Sequence, residues 1–298
     1  MRAVIPIILC LFLTLLPFQA TSAGGIKSNS ATLTVDELKN GEYLSEFTAG
    51  GKVKLNDGVY KEKNAPDSST ELIVTLSNKM AFGDLNGDGE EDAAVVLITD
   101  PGGSGTFHFL AVVINQNGSP DNVASQLLGD RVKIKNLSIR SGEIAVEMIT
   151  HGPSDPLCCP TLETTLDYQL QGDKLVVAPN RSLIDRNWAL QSFGTRGGEK
   201  RLFPDTEISI EFSADGRFHG SGGCNGYFGS YKISPDGLLS ISPVGSTQMA
   251  CPEEILNQEI NYFKALQSVS AFKVKSQVLQ LFYENGVRVL NFNESITR

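Results

Sequence analysis

Residues 71–99 read ELIVTLSNKMAFGDLNGDGEEDAAVVLIT, and the choice between helix and strand on either side of DLNGDGEED (residues 84–92) decides the fold class. The alternating segment 71–76 leads into the acidic stretch, and the apolar run 93–98 leaves it. Both are short and rich in β-branched residues, so they read as strands. A helix-flanked EF-hand also needs a carboxylate at the twelfth loop position, and counting Asp84 as the first puts Val95 there. The stretch is therefore a loop between two strands of a mainly β protein.

Within that loop, Asp84, Asn86 and Asp88 supply side-chain oxygens, Gly89 permits the chain to turn, Glu90 offers its carbonyl and Asp92 closes the ring. Calcium takes about six to eight oxygen ligands, and this set is expected to hold one, water completing the shell. The competing reading is an Asx-rich turn whose side chains bond their own backbone. Five carboxylates within nine residues repel one another without a cation, which favours calcium in a structural role.

Outward from the loop, short apolar runs alternate with turn signals: 52–55 and 59–62 around Asn56-Asp57-Gly58, 107–114 ending at Gln116-Asn117-Gly118, then 132–139, 143–149, 164–170 and 174–177. Only residues 35–39, after a Thr34 cap, predict a short helix in this half. Periodicity lapses between 178 and 186, which predicts a linker. Beyond it, three hairpins are expected: 207–212 with 217–220, 227–233 with 238–242, and 278–283 with 287–292. One helix interrupts them after Pro252, with Leu256, Ile260, Phe263 and Leu266 on its apolar face and Glu253 and Glu254 in its first turn. The expected organisation is a signal segment (1–23), a mainly β domain (24–180) and an α+β domain (181–298).

Arg2, the apolar run 4–18 and the small residues up to Ala23 predict a secretory signal cleaved near Ala23. The run is shorter than the roughly 20 residues of a membrane span. Cys10 lies inside that run, unlike a lipid-attachment cysteine. The expected product is a soluble exported protein, periplasmic or extracellular. Its charge would be 24 basic against 34 acidic residues, the acidic excess falling entirely before residue 181, so nucleic acid is not expected as a partner.

Four cysteines lie beyond the signal, and an oxidising compartment suggests pairing. Three connectivities are possible; Cys224 with Cys251 and Cys158 with Cys159 keep each bridge inside one expected domain. Adjacent cysteines suggest a stiff turn or, alternatively, a redox-active pair, and a zinc site at His151 would lack ligands. Neither His108, His151 and His219 nor the glycine-rich 102–106 segment matches a catalytic or phosphate-binding pattern. No catalytic residue is expected.

The segment from Trp188 to Phe292 resembles the META domain, or HslJ-like heat-shock, family of bacterial envelope proteins. The resemblance is carried by Trp188, by Phe218-His219-Gly220-Ser221-Gly222-Gly223-Cys224-Asn225-Gly226-Tyr227 with Gly229 and Tyr231, by Thr247-Gln248-Met249-Ala250-Cys251-Pro252, and by Glu259. Gln248 stands where the family commonly has arginine. The resemblance implies a bent antiparallel sheet around one helix, association with stress or drug tolerance, and no catalytic residues. The acidic loop is similar to calcium loops of FG-GAP repeats, and its combination with Cys158-Cys159-Pro160 resembles regions of other exported bacterial proteins. The expected function is noncatalytic binding of another envelope component, a protein or an amphiphile. A thiol-redox or hydrolytic enzyme and a calcium-stapled structural module are the alternatives.

Overall fold

The computed structural model describes residues 32–295, so the expected signal segment lies outside the described residues. Helix α1 (Val35–Lys39) precedes β1 (Glu42–Leu44), β2 (Lys52–Lys54), β3 (Val59–Lys63), β4 (Glu71–Gly83), β5 (Asp92–Asp100), β6 (Phe107–Gln116) and β7 (Ser119–Asp130). Strands β8 (Lys133–Arg140), β9 (Glu143–Thr150), β10 (Leu162–Gln171) and β11 (Lys174–Val177) complete the first half. The second half comprises β12 (Asn187–Thr195), β13 (Lys200–Arg201), β14 (Ser209–Phe212), β15 (Arg217–Ser221), β16 (Gly226–Ile233), β17 (Leu239–Ile241) and β18 (Gly245–Ser246). It ends with α2 (Glu253–Gln267), β19 (Val269–Lys275), β20 (Val278–Tyr283) and β21 (Arg288–Glu294). The protein is mainly β, as its turn signals and alternation require.

The first half is layered. A five-stranded antiparallel sheet, β3-β4-β5-β6-β7, has both faces buried, which explains the near-continuous apolar run of β5. One face packs through Ala94, Val96, Leu110 and Val112 onto the four-stranded sheet β11-β10-β9-β8. The other packs through Ala93, Val95, Leu97 and Val113 against Leu38 of α1 and Tyr43 and Val53 of the β1–β2 pair. The Asn56-Asp57-Gly58 turn joins β2 to β3, yet each pairs elsewhere, β2 with β1 and β3 with β4. Thr34 caps α1 by accepting from the Glu37 N–H at 3.2 Å, while Glu37 accepts from the Thr34 N–H.

In the second half a single sheet runs β17-β16-β15-β14-β12-β21-β20-β19 and curls until its edge strands meet, enclosing α2. Its core is aromatic, with Trp188, Phe212, Phe218, Tyr262, Tyr283 and Phe292 fully buried. The buried face of α2 differs from expectation: it is Gln258, Glu259, Tyr262, Ala265 and Leu266, whereas Ile260 is 48% exposed. The helix rotates because each buried polar side chain finds a partner inside the curled sheet. Gln258 accepts from the Phe203 N–H, and the Tyr262 hydroxyl bonds that of Tyr227 at 2.6 Å.

The aperiodic segment 178–186 is packed rather than free. Asn180 is buried and donates to the Thr165 carbonyl, while Leu183 and Ile184 belong to the aromatic core. Further links cross between the halves: the Tyr168 hydroxyl donates to the Pro235 carbonyl at 2.7 Å, and Glu163 of β10 pairs with both Lys135 and Lys273. Hydrogen bonds from Lys135 and then Lys273 hold the Glu163 carboxyl down to about 2, against an ordinary 4.5. A depressed folded-state pKa contributes stability above the unfolded value and loses it as pH falls. Glu163→Gln should therefore lower the melting temperature at pH 6, with the difference from the parent vanishing between pH 4.5 and about 2 in calorimetric scans.

Candidate functional site

The acidic loop keeps its shape with its own atoms. Asp84 Oδ1 and Oδ2 accept from the Gly87 and Gly89 N–H groups at 2.6 and 3.0 Å; Asn86 Oδ1 accepts from Asp88, and Asp88 Oδ1 from Glu90. Gly87 and Gly89 both have φ near +85°, where a side chain is strained. Asp92 is fully buried at the base of β5, accepting from the Leu85 and Asn115 N–H groups. Burial pushes its carboxyl pKa upward against those hydrogen bonds. The five expected ligands thus share one loop in an Asx-turn arrangement, and among the described residues no three acidic, histidine or cysteine side chains converge at metal-binding distance. Asp84, Asp88, Glu90 and Glu91 have no lysine or arginine partner among the described residues.

Both expected disulfides are formed. Cys224–Cys251 spans 6.2 Å between Cα atoms, and Cys158–Cys159 joins neighbours 3.8 Å apart on an exposed turn. That turn is anchored by Arg131, whose guanidinium donates to the Leu157 carbonyl and pairs with Asp130. The structure also gathers two histidines that are remote in sequence. His151 Nε2 bonds the Asp130 carbonyl at 3.1 Å, and His108, lowered in pKa by burial, lies within the influence of the Asp130 charge. His219 is elsewhere, exposed beside Glu211.

The glycine-rich motif of the second half is a structural clamp. Glu259 of α2 accepts from the Asn225 N–H and Asn225 Nδ2, both at 2.7 Å, and from the Cys224 N–H at 3.3 Å. Asn225 Oδ1 in turn accepts from the Thr247 hydroxyl and the Met249 N–H. Gly222 must lack a side chain because a Cβ there would sit 2.4 Å from the Glu259 carboxylate. Gly223 takes a positive φ of 99° to turn the chain into Cys224. Gly226 opens β16, and Tyr227 points inward to bond Ser209 and Tyr262. Trp188 is buried, its indole N–H donating to the Leu183 carbonyl. Gln248 and Met249 remain exposed.

Beside this clamp a cleft of about 830 Å³ opens between α2 and the ends of β12, β13, β20 and β21. Phe193, Phe203 and Tyr283 line it together with four cations, Lys200, Arg201, Lys264 and Arg288, and two carboxylates, Glu254 and Glu284. Only Arg288 has a carboxylate partner, Glu284 at 3.3 Å; Lys200, Arg201 and Lys264 have none among the described residues. Sequence reasoning missed this site because its residues come from five separate elements. The lone signal was the basic pair Lys200-Arg201 in an otherwise acidic chain.

A curled antiparallel sheet closed on one helix, locked by an Asn–Glu clamp and a disulfide, defines an α+β module. Residues 181–296 match the META domain and form one. Among solved structures, an NMR structure of a protein from Burkholderia xenovorans is 31% identical, covering 39% of this chain and 85% of that one, with a TM-score of 0.34. A crystal structure of a DUF4847 family protein from Bacteroides vulgatus is 17% identical, covering 39% and 96%, with a TM-score of 0.30. No curated protein matches the chain.

A hydrogen bond to a charged group contributes about 1.5–3 kcal/mol. Glu259→Gln, which presents a donor to a nest of donors, should lower unfolding free energy by about 2 kcal/mol or more in denaturant titration.

Proposed function

We propose that this protein is a noncatalytic, exported binding protein whose META domain holds an anionic amphiphile of the cell envelope and so contributes to stress or drug tolerance. The cleft beside α2 is the observation that carries the reading. Its volume lies in the range of small-molecule sites, about 300–1,000 Å³. Aromatic walls suit an apolar tail, and three cations without carboxylate partners suit an anionic head in a chain of net charge −9. Neither META nor DUF4847 is known as an enzyme family, in keeping with a binding role. Each surface cation near an anionic membrane contributes about 1 kcal/mol. Lys200→Glu/Arg201→Glu should therefore weaken dodecyl phosphate binding more than tenfold by calorimetry, while Lys232→Glu, outside the cleft, leaves it unchanged. Equal weakening by both variants, or no binding by the parent, refutes the reading.

A second proposal concerns the acidic loop, favoured by four carboxylates with no cationic partner. Asp84, Asn86, Asp88, the Glu90 carbonyl and Asp92 would take calcium as a structural staple, after the Asp84 and Asp88 side chains re-aim from their turn contacts. For extracellular-type sites of about 0.1–1 mM affinity, 1 mM calcium adds about 0.4–1.4 kcal/mol of stability. The expected readout is a melting-temperature rise of roughly 1–5 °C, absent in Asp88→Ala; no rise in the parent removes calcium from consideration.

A further inference from the structure

On the first half, the tip of the β1–β2 hairpin, residues 45–51, arches over the face of the five-stranded sheet opposite the β8–β11 layer. It is pinned at its base, where the Leu44 N–H donates to Asn122 Oδ1 at 2.8 Å, and at its neck by Ser45 bonding Gly51. Between arch and sheet lies a cavity of about 280 Å³. Phe47 forms one wall, with its ring 6.1 Å from that of Phe109, and Leu97 contributes to the floor. Three hydroxyl residues, Ser45, Thr99 and Ser125, also line the space, the Ser45 hydroxyl already accepting from the Phe47 N–H. Ser125 Oγ is buried with no hydrogen-bond partner among the described residues.

A buried hydroxyl left unsatisfied costs free energy that a matching partner recovers. An engineered apolar cavity of about 150 Å³ takes up benzene. By that scale, this larger space has room for roughly ten carbon atoms. Among the lining residues only Glu46 is charged, and no basic side chain is present. An anionic head would meet a like charge and no counter-ion, whereas a neutral hydroxyl would meet Ser125 and Thr99.

We propose that this cavity is a binding site for a small neutral amphiphile, a chain or ring of up to about ten carbons bearing one hydroxyl group. The apolar part lies against Phe47, Leu97 and Phe109, and the ligand hydroxyl bonds the hydroxyl of Ser125. The hairpin tip acts as the rim through which the ligand enters. This site is separate in position and in charge preference from the basic cleft beside α2, so the fate of one reading does not decide the other.

The test titrates the full chain with 1-octanol and with octanoate, following backbone amide chemical shifts. Octanol should shift amides of residues 44–51 and of the strand segments around Thr99 and Ser125 saturably, and octanoate should bind at least tenfold more weakly. Removing one neutral hydrogen bond lowers affinity about fivefold, so Ser125→Ala should weaken octanol by that factor. If that variant does not fold, Ser125→Cys, which keeps the volume but replaces the hydroxyl by a weakly hydrogen-bonding thiol, serves in its place with weakening in the same direction expected. The proposal is overturned if octanol gives no saturable shift below its solubility limit, which leaves water as the occupant. Octanoate binding as tightly as octanol, or unchanged octanol affinity in the folded variant, overturns it equally.

Discussion

A buried carboxylate on α2, the one long helix among the described residues, organises the second half of the molecule. Glu259 brings its carboxylate into the curled sheet with no lysine or arginine partner among the described residues, and three N–H donors at residues 224 and 225 take the place of water. Stripping water from a carboxylate is expensive unless hydrogen bonds replace it, so helix and glycine-rich turn must form together. Everything around them follows from that requirement. Gly222 makes room, Asn225 relays the bonding to Thr247 and Met249, and the disulfide fastens the same two segments a second time. The rotation of α2, which leaves Ile260 in solvent, is the consequence of seating Glu259 rather than of maximising apolar burial.

The first half relies on a different device. Its acidic loop and its sheet share Asp92, whose two oxygens tie the loop at Leu85 to the neighbouring strand at Asn115. The loop can thus project charged side chains into water while its foot is fixed in a dry core. The same sheet buries both faces, and small side chains such as Ala93, Ala94 and Ala111 allow layers to approach on either side.

Much of this was readable from residue order. Turn dipeptides placed the closing hairpins, and β11 and β20 begin and end where their apolar runs do. Helix α1 was legible from its Thr34–Glu37 box. Strand β7 was not, because Ser119–Asp130 includes Pro120, Gly129 and buried Asn122 and is held by pairing with β6 across two bulges rather than by its own pattern. Strand β19 was hidden for a related reason: it follows α2 directly, with a single residue, Ser268, between them. The clamp partners Asn225 and Glu259 were visible only through family resemblance, since 34 residues separate them. The basic cleft and the cavity under the hairpin arise where distant elements meet, and no local spacing records such meetings.

Trp188 is the sole tryptophan, sealed in the aromatic core, with the Arg186 guanidinium 5.8 Å from its ring centre. Its emission therefore reports the interior of the META domain and nothing of the layered half, whose buried chromophores are tyrosines such as Tyr43 and Tyr168. Tyrosines are shared between the halves, Tyr227 and Tyr262 lying beside Trp188 in the aromatic core, so the indole is the one chromophore that belongs to a single half. Whether the Tyr168–Pro235 and Glu163 links make the halves melt in concert is readable by setting the Trp188 transition against the melting of the whole chain's strands in circular dichroism, with no dye attached.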